Sequence, residues 1–258
     1  MSALYRPLPD SKSRPPDAGF MVPNVPSYLA YHREAFVSGM SQAITEVVAS
    51  LQEIRSRTSV EAEHIGHILN SIAKRRREIA REALDNEWEL FGKPLEKDRG
   101  PRDLIPADDH HRHYSYLGRA CRAYAKGLKI VIPTPDGGIA GSEVCEDVEG
   151  GYVIQHPSTV QCAKLASIAF GIYSKLFENR TPAESDVVNG IAEATYLLMH
   201  GTPYVRGTPA CVQALNDVVA RIIISKTFPK FDSGIEPFWE AIFTTKREFI
   251  SSYRDFFE

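Results

Sequence analysis

Apolar residues recur at every third or fourth position over long segments of this sequence, and this spacing constrains its fold more than any other feature. It predicts one helix from about residue 31 to 57 and a second from about 58 to 91, each with one apolar face. Thr58 and Glu61 have the spacing of a capping box at the start of the second helix. The pair predicts a long helical hairpin over residues 27–92. The apolar positions of the first helix are Met40, Ile44, Val47, Val48, Leu51 and Ile54.

The second half of the sequence predicts three further helices. Helical spacing runs over residues 158–177, then from Pro182 to about His200, and again after Gly207. Thr181 directly before a proline is typical of a helix start, with threonine as the N-cap. The helix after the glycine is unusually apolar, which places it in the middle of the predicted bundle.

A change from helical to alternating spacing predicts a small β-structure among these helices. Residues 128–132 and 151–155 have the composition of strands, and the proline and glycine residues at 133–138 favour a turn. The predicted fold class is therefore mainly α. It is a helical bundle over residues 113–258 with a small β-hairpin insertion at about residues 128–156.

The length of 258 residues suffices for a sizeable core, and we predict one helical domain over residues 27–258. The first 26 residues contain six prolines among polar residues, a composition that predicts a flexible leader. Such a segment suits an export tail read by a specialised secretion system. An ordinary frayed terminus has the same composition.

Composition excludes several partners and locations. A net charge of -3 gives no bulk attraction to nucleic acid or to an anionic membrane. No apolar run approaches the roughly 20 residues that span a bilayer, and the N-terminus lacks the pattern of a secretory signal. The four cysteines are widely spaced without a C-x-x-C pair, which favours reduced, buried thiols. We predict a cytoplasmic protein, or one delivered into a host cell by a specialised secretion system, with a protein target or a nucleotide as its partner.

One polar segment is a candidate metal site. Asp108, His110, His111 and His113 form the densest group of potential metal ligands in the sequence. Their spacing matches no recognised zinc or iron pattern, because adjacent side chains on an extended loop point in different directions. The alternative is a hydrated loop in which Asp108 or Asp109 caps the following helix.

The most informative segment is the loop Gly201-Thr-Pro-Tyr-Val-Arg-Gly-Thr208 between two predicted helices. Arg206 lies beside the unpaired backbone N–H groups of the following helix, so an anion site is predicted there. For each residue the sequence leaves an alternative. His200 is a candidate base or a helix C-terminal residue, and Arg206 is a phosphate clamp or an ion-pair partner of Asp217 or Glu193. Thr208 is a ligand-binding residue or the N-cap of the helix.

The order of helical hairpin, β-hairpin, two helices, Pro-aromatic-x-x-Gly loop and apolar helix resembles the Fic or Fido superfamily over about residues 128–227. The active loop of that family reads His-Pro-Phe-x-(Asp/Glu)-Gly-Asn-Gly-Arg and cradles the phosphates of a nucleotide, and a β-hairpin flap lies some way before it. Here Pro203 to Gly207 stand where Pro-Phe-x-(Asp/Glu)-Gly would. Thr202 occupies the place of the catalytic histidine, and Arg206 that of the metal-binding acid.

The resemblance implies a nucleotidyl- or phosphoryl-group transferase, or a pseudoenzyme, that acts on a nucleotide or phosphate-containing substrate with or without Mg²⁺. It is compatible with a bacterial effector. His200 and Arg206 are the catalytic candidates. The substitutions remove the usual base and metal ligand from the loop. The alternative function is a non-catalytic protein-interaction module that uses the helical hairpin. The predicted ligand-binding residues are Thr202, Tyr204, Gly207 and Thr208.

Overall fold

The computed structural model describes residues 8, 10–11, 30–84, 93–94, 102–104, 124, 127, 130–146, 152–204, 207–228 and 237–257. The chain divides into two compact units. Unit 1 comprises Met1–Lys93, Phe170–Ile191 and Val205–Lys230, and unit 2 comprises Pro94–Ala169, Ala192–Tyr204 and Phe231–Glu258. The single helical domain predicted from the sequence stays a prediction.

Seven α-helices and five short strands lie within the described residues. The helices are α1 (Ala30–Arg57), α2 (Ala62–Leu84), α3 (Thr159–Glu178), α4 (Glu184–Gly201), α5 (Thr208–Ile224), α6 (Pro237–Phe243) and α7 (Lys246–Ser252). A 3₁₀ turn (Tyr253–Phe256) follows α7. The strands are β1 (Arg102–Leu104), β2 (Ile132–Pro133), β3 (Ile139–Ala140), β4 (Glu143–Glu146) and β5 (Tyr152–Gln155).

The core of unit 1 forms where α1, α2 and α5 pack against one another. The helix α1 buries Phe36, Met40 and Leu51, so the predicted apolar stripe faces the core. The helix α5 is buried on almost every side, with 13 of its 17 residues inaccessible. A helix that is apolar nearly all round is stable only in a protein interior, which is why this segment lies at the centre.

Unit 2 contains two small antiparallel sheets. One has the strand order β1-β5-β4 and the other pairs β2 with β3. The buried faces of β4 and β5 contribute Val144 and Ile154, which pack with Ile242 of α6. Phe238, Trp239 and Phe243 pack against this cluster. Further along the C-terminal segment, Phe249, Tyr253 and Phe256 are in mutual ring contact.

The structure confirms the mainly α class with a small antiparallel β-insertion. Strands β2 to β5 fall within the predicted range, but β1 was not predicted. Three residues of the predicted leader, Leu8, Asp10 and Ser11, are described, and all three contact unit 1. The flexibility predicted for the remainder of the leader falls outside the described residues. No helix in the described part of the chain has both the length and the apolar character needed to cross a bilayer.

Two predicted helix starts were wrong. The helix α2 begins at Ala62 rather than after Thr58, because the Thr58 N–H still donates to the Ile54 carbonyl of α1 (2.9 Å). The Glu61 N–H donates instead to Nδ1 of His64. The helix α4 begins at Glu184, and the carbonyl of Ala183 accepts the first helical hydrogen bonds.

Candidate functional site

The helix α4 ends in a strained turn that carries two of the predicted site residues. The N–H of Thr202 donates to the Leu198 carbonyl (2.8 Å), which continues the helical pattern one residue past Gly201. The φ angle of Thr202 is +27°, a region that a β-branched residue rarely adopts. Such a conformation costs on the order of 1–3 kcal/mol and persists only where the surroundings impose it. The strain therefore indicates that the surroundings of Thr202 hold it in this conformation.

His200 lies on the last turn of α4 and is completely buried. Its Nδ1 is 3.1 Å from Oγ of Ser142, in the short link between β3 and β4. The ring of Tyr196 packs against it edge-on, with 4.6 Å between the centroids. This contact joins the strand region of unit 2 to the helix that leads into the loop.

The environment of His200 keeps its imidazole neutral. Burial lowers its pKa from 6.5 to about 3, and the nearby His156 ring lowers it further, while the backbone carbonyl of Ala241 opposes the shift. A base with so low a pKa accepts a proton poorly at neutral pH. His200 is therefore suited to hold a neutral hydrogen bond rather than to act as the general base predicted from the sequence.

This neutral histidine predicts a pH dependence of stability. The unfolded chain binds a proton at this ring below pH 6.5, whereas the folded chain binds it only near pH 3. The contribution to stability is complete above pH 6.5 and is lost as the pH falls towards 3, by at most about 1.4 kcal/mol per pH unit. Chemical denaturation between pH 4 and 7 should show a shallower slope for His200→Gln than for the wild type. The control is His67→Gln on the exposed face of α2, which should keep the wild-type slope.

Two buried polar atoms near the end of α4 have no hydrogen-bond partner within the described residues. They are Nε2 of His200, whose ring lies near the Ala241 carbonyl but makes no well-aligned hydrogen bond with it, and Oγ1 of Thr202. Both side chains are almost fully inaccessible. Buried polar atoms without partners are rare in folded proteins and often mark a place where water or a ligand binds. The two residues therefore remain candidates for ligand contact.

The other predicted loop residues have different surroundings. Tyr204 is buried and forms an isolated antiparallel bridge with Pro94, so it packs within unit 2. Gly207 (φ +83°) is the N-cap of α5, which corrects the alternative that Thr208 caps this helix. Thr208 is instead the first helical residue and is buried. A ligand-binding role for these three residues stays a prediction.

The remaining candidates, Arg206 and the group Asp108, His110, His111 and His113, lie outside the described residues. Within the described residues no group of three or more His, Cys, Asp or Glu side chains is arranged to hold a metal ion. The fit to magnesium is also poor by sequence, since residues 201–208 contain no carboxylate.

A pocket of about 220 Å³ lies in unit 2 between the β2–β3 hairpin and the junction of β5 with α3. Apolar residues of the hairpin contribute to the lining, and Ser142, Glu143 and Gln155 contribute polar groups. None of the described residues that line the pocket is a lysine or an arginine. It is lined by Ile130, Val131, Ile139, Ala140, Gly141, Ser142, Glu143, Gln155, His156, Pro157 and Gln161.

The hairpin that covers this pocket is fixed to α3 by two side chains. Nε2 of Gln161 donates to the Ile139 carbonyl (2.7 Å), and the ammonium of Lys164 pairs with Asp136 in the turn. Hydrogen bonds from Lys164 and Thr134 lower the pKa of Asp136 to about 2, so this carboxylate stays charged through the physiological range. The pocket wall is thus positioned by contacts from outside the hairpin itself.

Three residues of this region, Ser142, His156 and Gln161, were not predicted from the sequence. Ser142 and His200 are separated by 58 residues, and nothing in the local pattern of either predicts their contact. Gly141, directly before Ser142, is the one sequence signal of an unusual backbone at this position.

No protein-family model matches this sequence, and no curated protein is significantly similar to it. The likeness to the Fic superfamily therefore depends on the order of elements and on the loop pattern alone. What the chain does must be argued from the site.

Proposed function

We propose that this chain is a degenerate Fic-like pseudoenzyme that binds a nucleotide-class ligand in unit 2 without transferring a group from it. The hydrogen bond between His200 and Ser142 carries the proposal. It joins the β-hairpin region to the end of the helix before the loop, the two parts of the chain on which the resemblance is based. The strained Thr202, at the position of the catalytic histidine, adds support from the loop itself.

Three features favour binding over catalysis. The buried His200 has a pKa of about 3 and is a weak base at neutral pH. Thr202 has a hydroxyl where the family has an imidazole, and a hydroxyl does not act as a general base near pH 7. The loop contains no carboxylate to hold a magnesium ion beside a phosphate.

The pocket favours the nucleoside part of such a ligand. Its lining combines apolar hairpin side chains with the polar groups of Ser142, Glu143 and Gln155, a combination that can hold the face and edge of a flat polar ring. The described lining has a carboxylate at Glu143 and no lysine or arginine, which disfavours a phosphate there. The predicted phosphate contact of Arg206 remains a separate prediction from the sequence.

Thermal denaturation with added ligand tests this function. Adenosine and ATP should both raise the melting temperature, and at about 100 times Kd the stabilisation should reach about 2.7 kcal/mol. Magnesium should not change the shift. Ser142→Ala should lose most of the ligand-induced shift. Ser71→Ala, on the exposed face of α2, should keep it.

The proposal fails if a panel of purine and pyrimidine nucleosides and nucleotides leaves the wild-type melting temperature unchanged. Transfer of a nucleotide onto the chain or onto added protein, detected by intact mass, would contradict the pseudoenzyme part and restore the transferase. These two results separate binding from turnover.

The alternative function, a protein-interaction module built on the helical hairpin, has less support. The exposed large apolar residues in the described part of the chain are Tyr124, Val131, Ile139 and Val160, and none belongs to α1 or α2. An apolar patch is the usual mark of a protein-binding helix face. Delivery into a host cell also stays a prediction, based on the proline-rich N-terminal segment.

A further inference from the structure

Two polar residues that line the pocket of unit 2 stand side by side on neighbouring strands. Glu143 of β4 lies directly opposite Gln155 of β5 in the antiparallel register, and both residues belong to the lining. Directly opposed residues of an antiparallel pair project from the same face of the sheet, with their Cβ atoms about 4.5–5.5 Å apart. The carboxylate and the amide can therefore contact the same edge of one ligand.

Contacts within the chain determine which group each side chain offers. Sγ of Cys145 donates to Oε1 of Gln155 (3.8 Å), so the amide oxygen faces Cys145 and the NH₂ group is the part that can donate to a ligand. The carboxylate of Glu143 offers acceptors only. It also interacts with another group of the protein, but because its two oxygens have about four acceptor sites, it can accept from a ligand as well.

This pair of side chains is accessible in the structure as it stands. Gln155 is exposed and Glu143 is half-buried, so a ligand reaches both without any movement of the chain. Ile130 and Ile139 of the hairpin belong to the same lining, and apolar side chains suit the face of a planar ring. The pocket therefore offers an apolar surface for the face of a base and two polar groups for its edge.

The nucleobases differ in the donors and acceptors along their edges. Guanine has two adjacent donors, the N1–H and the N2 amino group, next to the acceptor O6. The two oxygens of one carboxylate can accept from both donors, while a neighbouring amide NH₂ donates to O6. Adenine has its N6 amino group beside the acceptor N1, so one carboxylate oxygen would face a lone pair. Cytosine and uracil also lack two adjacent donors.

We propose that the pocket selects guanine, with Glu143 as the residue that determines the choice and Gln155 as the donor to O6. This inference rests on the proposed function, because it names the base that the same pocket binds. The other bases bind through contacts with the ring face and one hydrogen bond, and therefore more weakly.

Isothermal titration calorimetry of the full-length chain with guanosine, inosine and adenosine measures this preference. Guanosine should bind about 10- to 100-fold more tightly than adenosine, the discrimination that a bidentate contact to a base provides. Inosine lacks the N2 amino group and should bind with intermediate affinity. Glu143→Gln should invert the order, because an amide pairs one donor and one acceptor with adenine. Glu146→Gln, on the same strand but outside the pocket lining, is the matched control and should keep the guanosine preference.

Equal affinities of the wild type for guanosine and adenosine would overturn the choice of base and leave the proposed function standing. Binding of no nucleoside at all would refute both. A guanosine preference that a folded Glu143→Gln chain retains would overturn the role of Glu143. If circular dichroism shows that this variant is unfolded, N1-methylguanosine with the wild type replaces it. The methyl group removes one of the two donors, so the affinity should fall about 10-fold or more, and an unchanged affinity refutes the two-donor contact.

Discussion

Gly141→Ala should lower the free energy of unfolding by at least about 3 kcal/mol, which corresponds to a fall in melting temperature of about 6–12 °C. The φ angle of Gly141 is +151°, a conformation that only glycine adopts readily. A Cβ at this position would overlap the carbonyl oxygen of Ile130. The carbonyl belongs to the backbone and cannot rotate away as a side chain would, so the strand pair must open. Differential scanning calorimetry measures the loss.

Gly137→Ala is the control for this prediction. Gly137 also has a positive φ angle (+81°), but no atom lies within 4 Å of the position a Cβ would take. The same substitution there should cost only about 1–2 kcal/mol, the conformational penalty alone. Equal losses for the two variants would contradict the close contact with Ile130. The Gly141 variant should also weaken the nucleoside-induced shift, because it displaces the neighbouring Ser142 from His200.

The long helices were predictable because the spacing of apolar residues that specifies each helix lies within its own segment of the sequence. The predicted helix at 158–177 is α3 at Thr159–Glu178, and the one at 31–57 is α1 at Ala30–Arg57. Each has an apolar stripe that only helical spacing can bury on one side. The strand β1 was not predicted, because it has only three residues and is a strand by virtue of its pairing with β5, where Arg102 lies opposite Gln155. Pairing between segments so far apart in the sequence produces no repeating pattern of apolar residues in either of them.

Two threonine–glutamate pairs have the same capping-box spacing, but only one of them caps a helix. Thr58 and Glu61 have the spacing of a capping box, yet the Thr58 N–H is already bonded to α1. Thr245 and Glu248 have the same spacing and do form a capping box, with both reciprocal hydrogen bonds, at the start of α7. The motif specifies the chemistry of a cap. Whether the threonine is available depends on where the preceding helix ends.

The helix ends on either side of the loop were predictable, but the chemistry of His200 was not. The sequence predicts where α4 ends and where α5 begins, because glycine and proline residues lie at both positions. The protonation state of His200 could not be predicted, because its pKa depends on complete burial and on Ala241 and His156 from two other segments. A histidine at a helix end suggests a charge that interacts with the dipole. Desolvation reverses that expectation here.

Asp217→Ala should destabilise unit 1 by about 3–5 kcal/mol. Both carboxylate oxygens of Asp217 are engaged: Oδ2 accepts from Nε of Arg221 (2.7 Å), and Oδ1 accepts from the Phe228 N–H (2.8 Å). The Asp217 and Arg221 side chains are no more than 10% exposed. Removing the carboxylate leaves a guanidinium and a backbone N–H without this acceptor in a region that water scarcely reaches. Urea denaturation measures the loss.

Two further variants test whether burial of the Asp217–Arg221 pair is the cause of this large loss of stability. Glu193→Ala breaks the pair with Lys246, whose members are 37% and 51% exposed, and should cost less than about 1 kcal/mol. The double variant Asp217→Leu with Arg221→Met replaces both charges with apolar groups and should be more stable than Asp217→Ala alone. If Asp217→Ala costs no more than Glu193→Ala, the buried pair does not fix the end of α5.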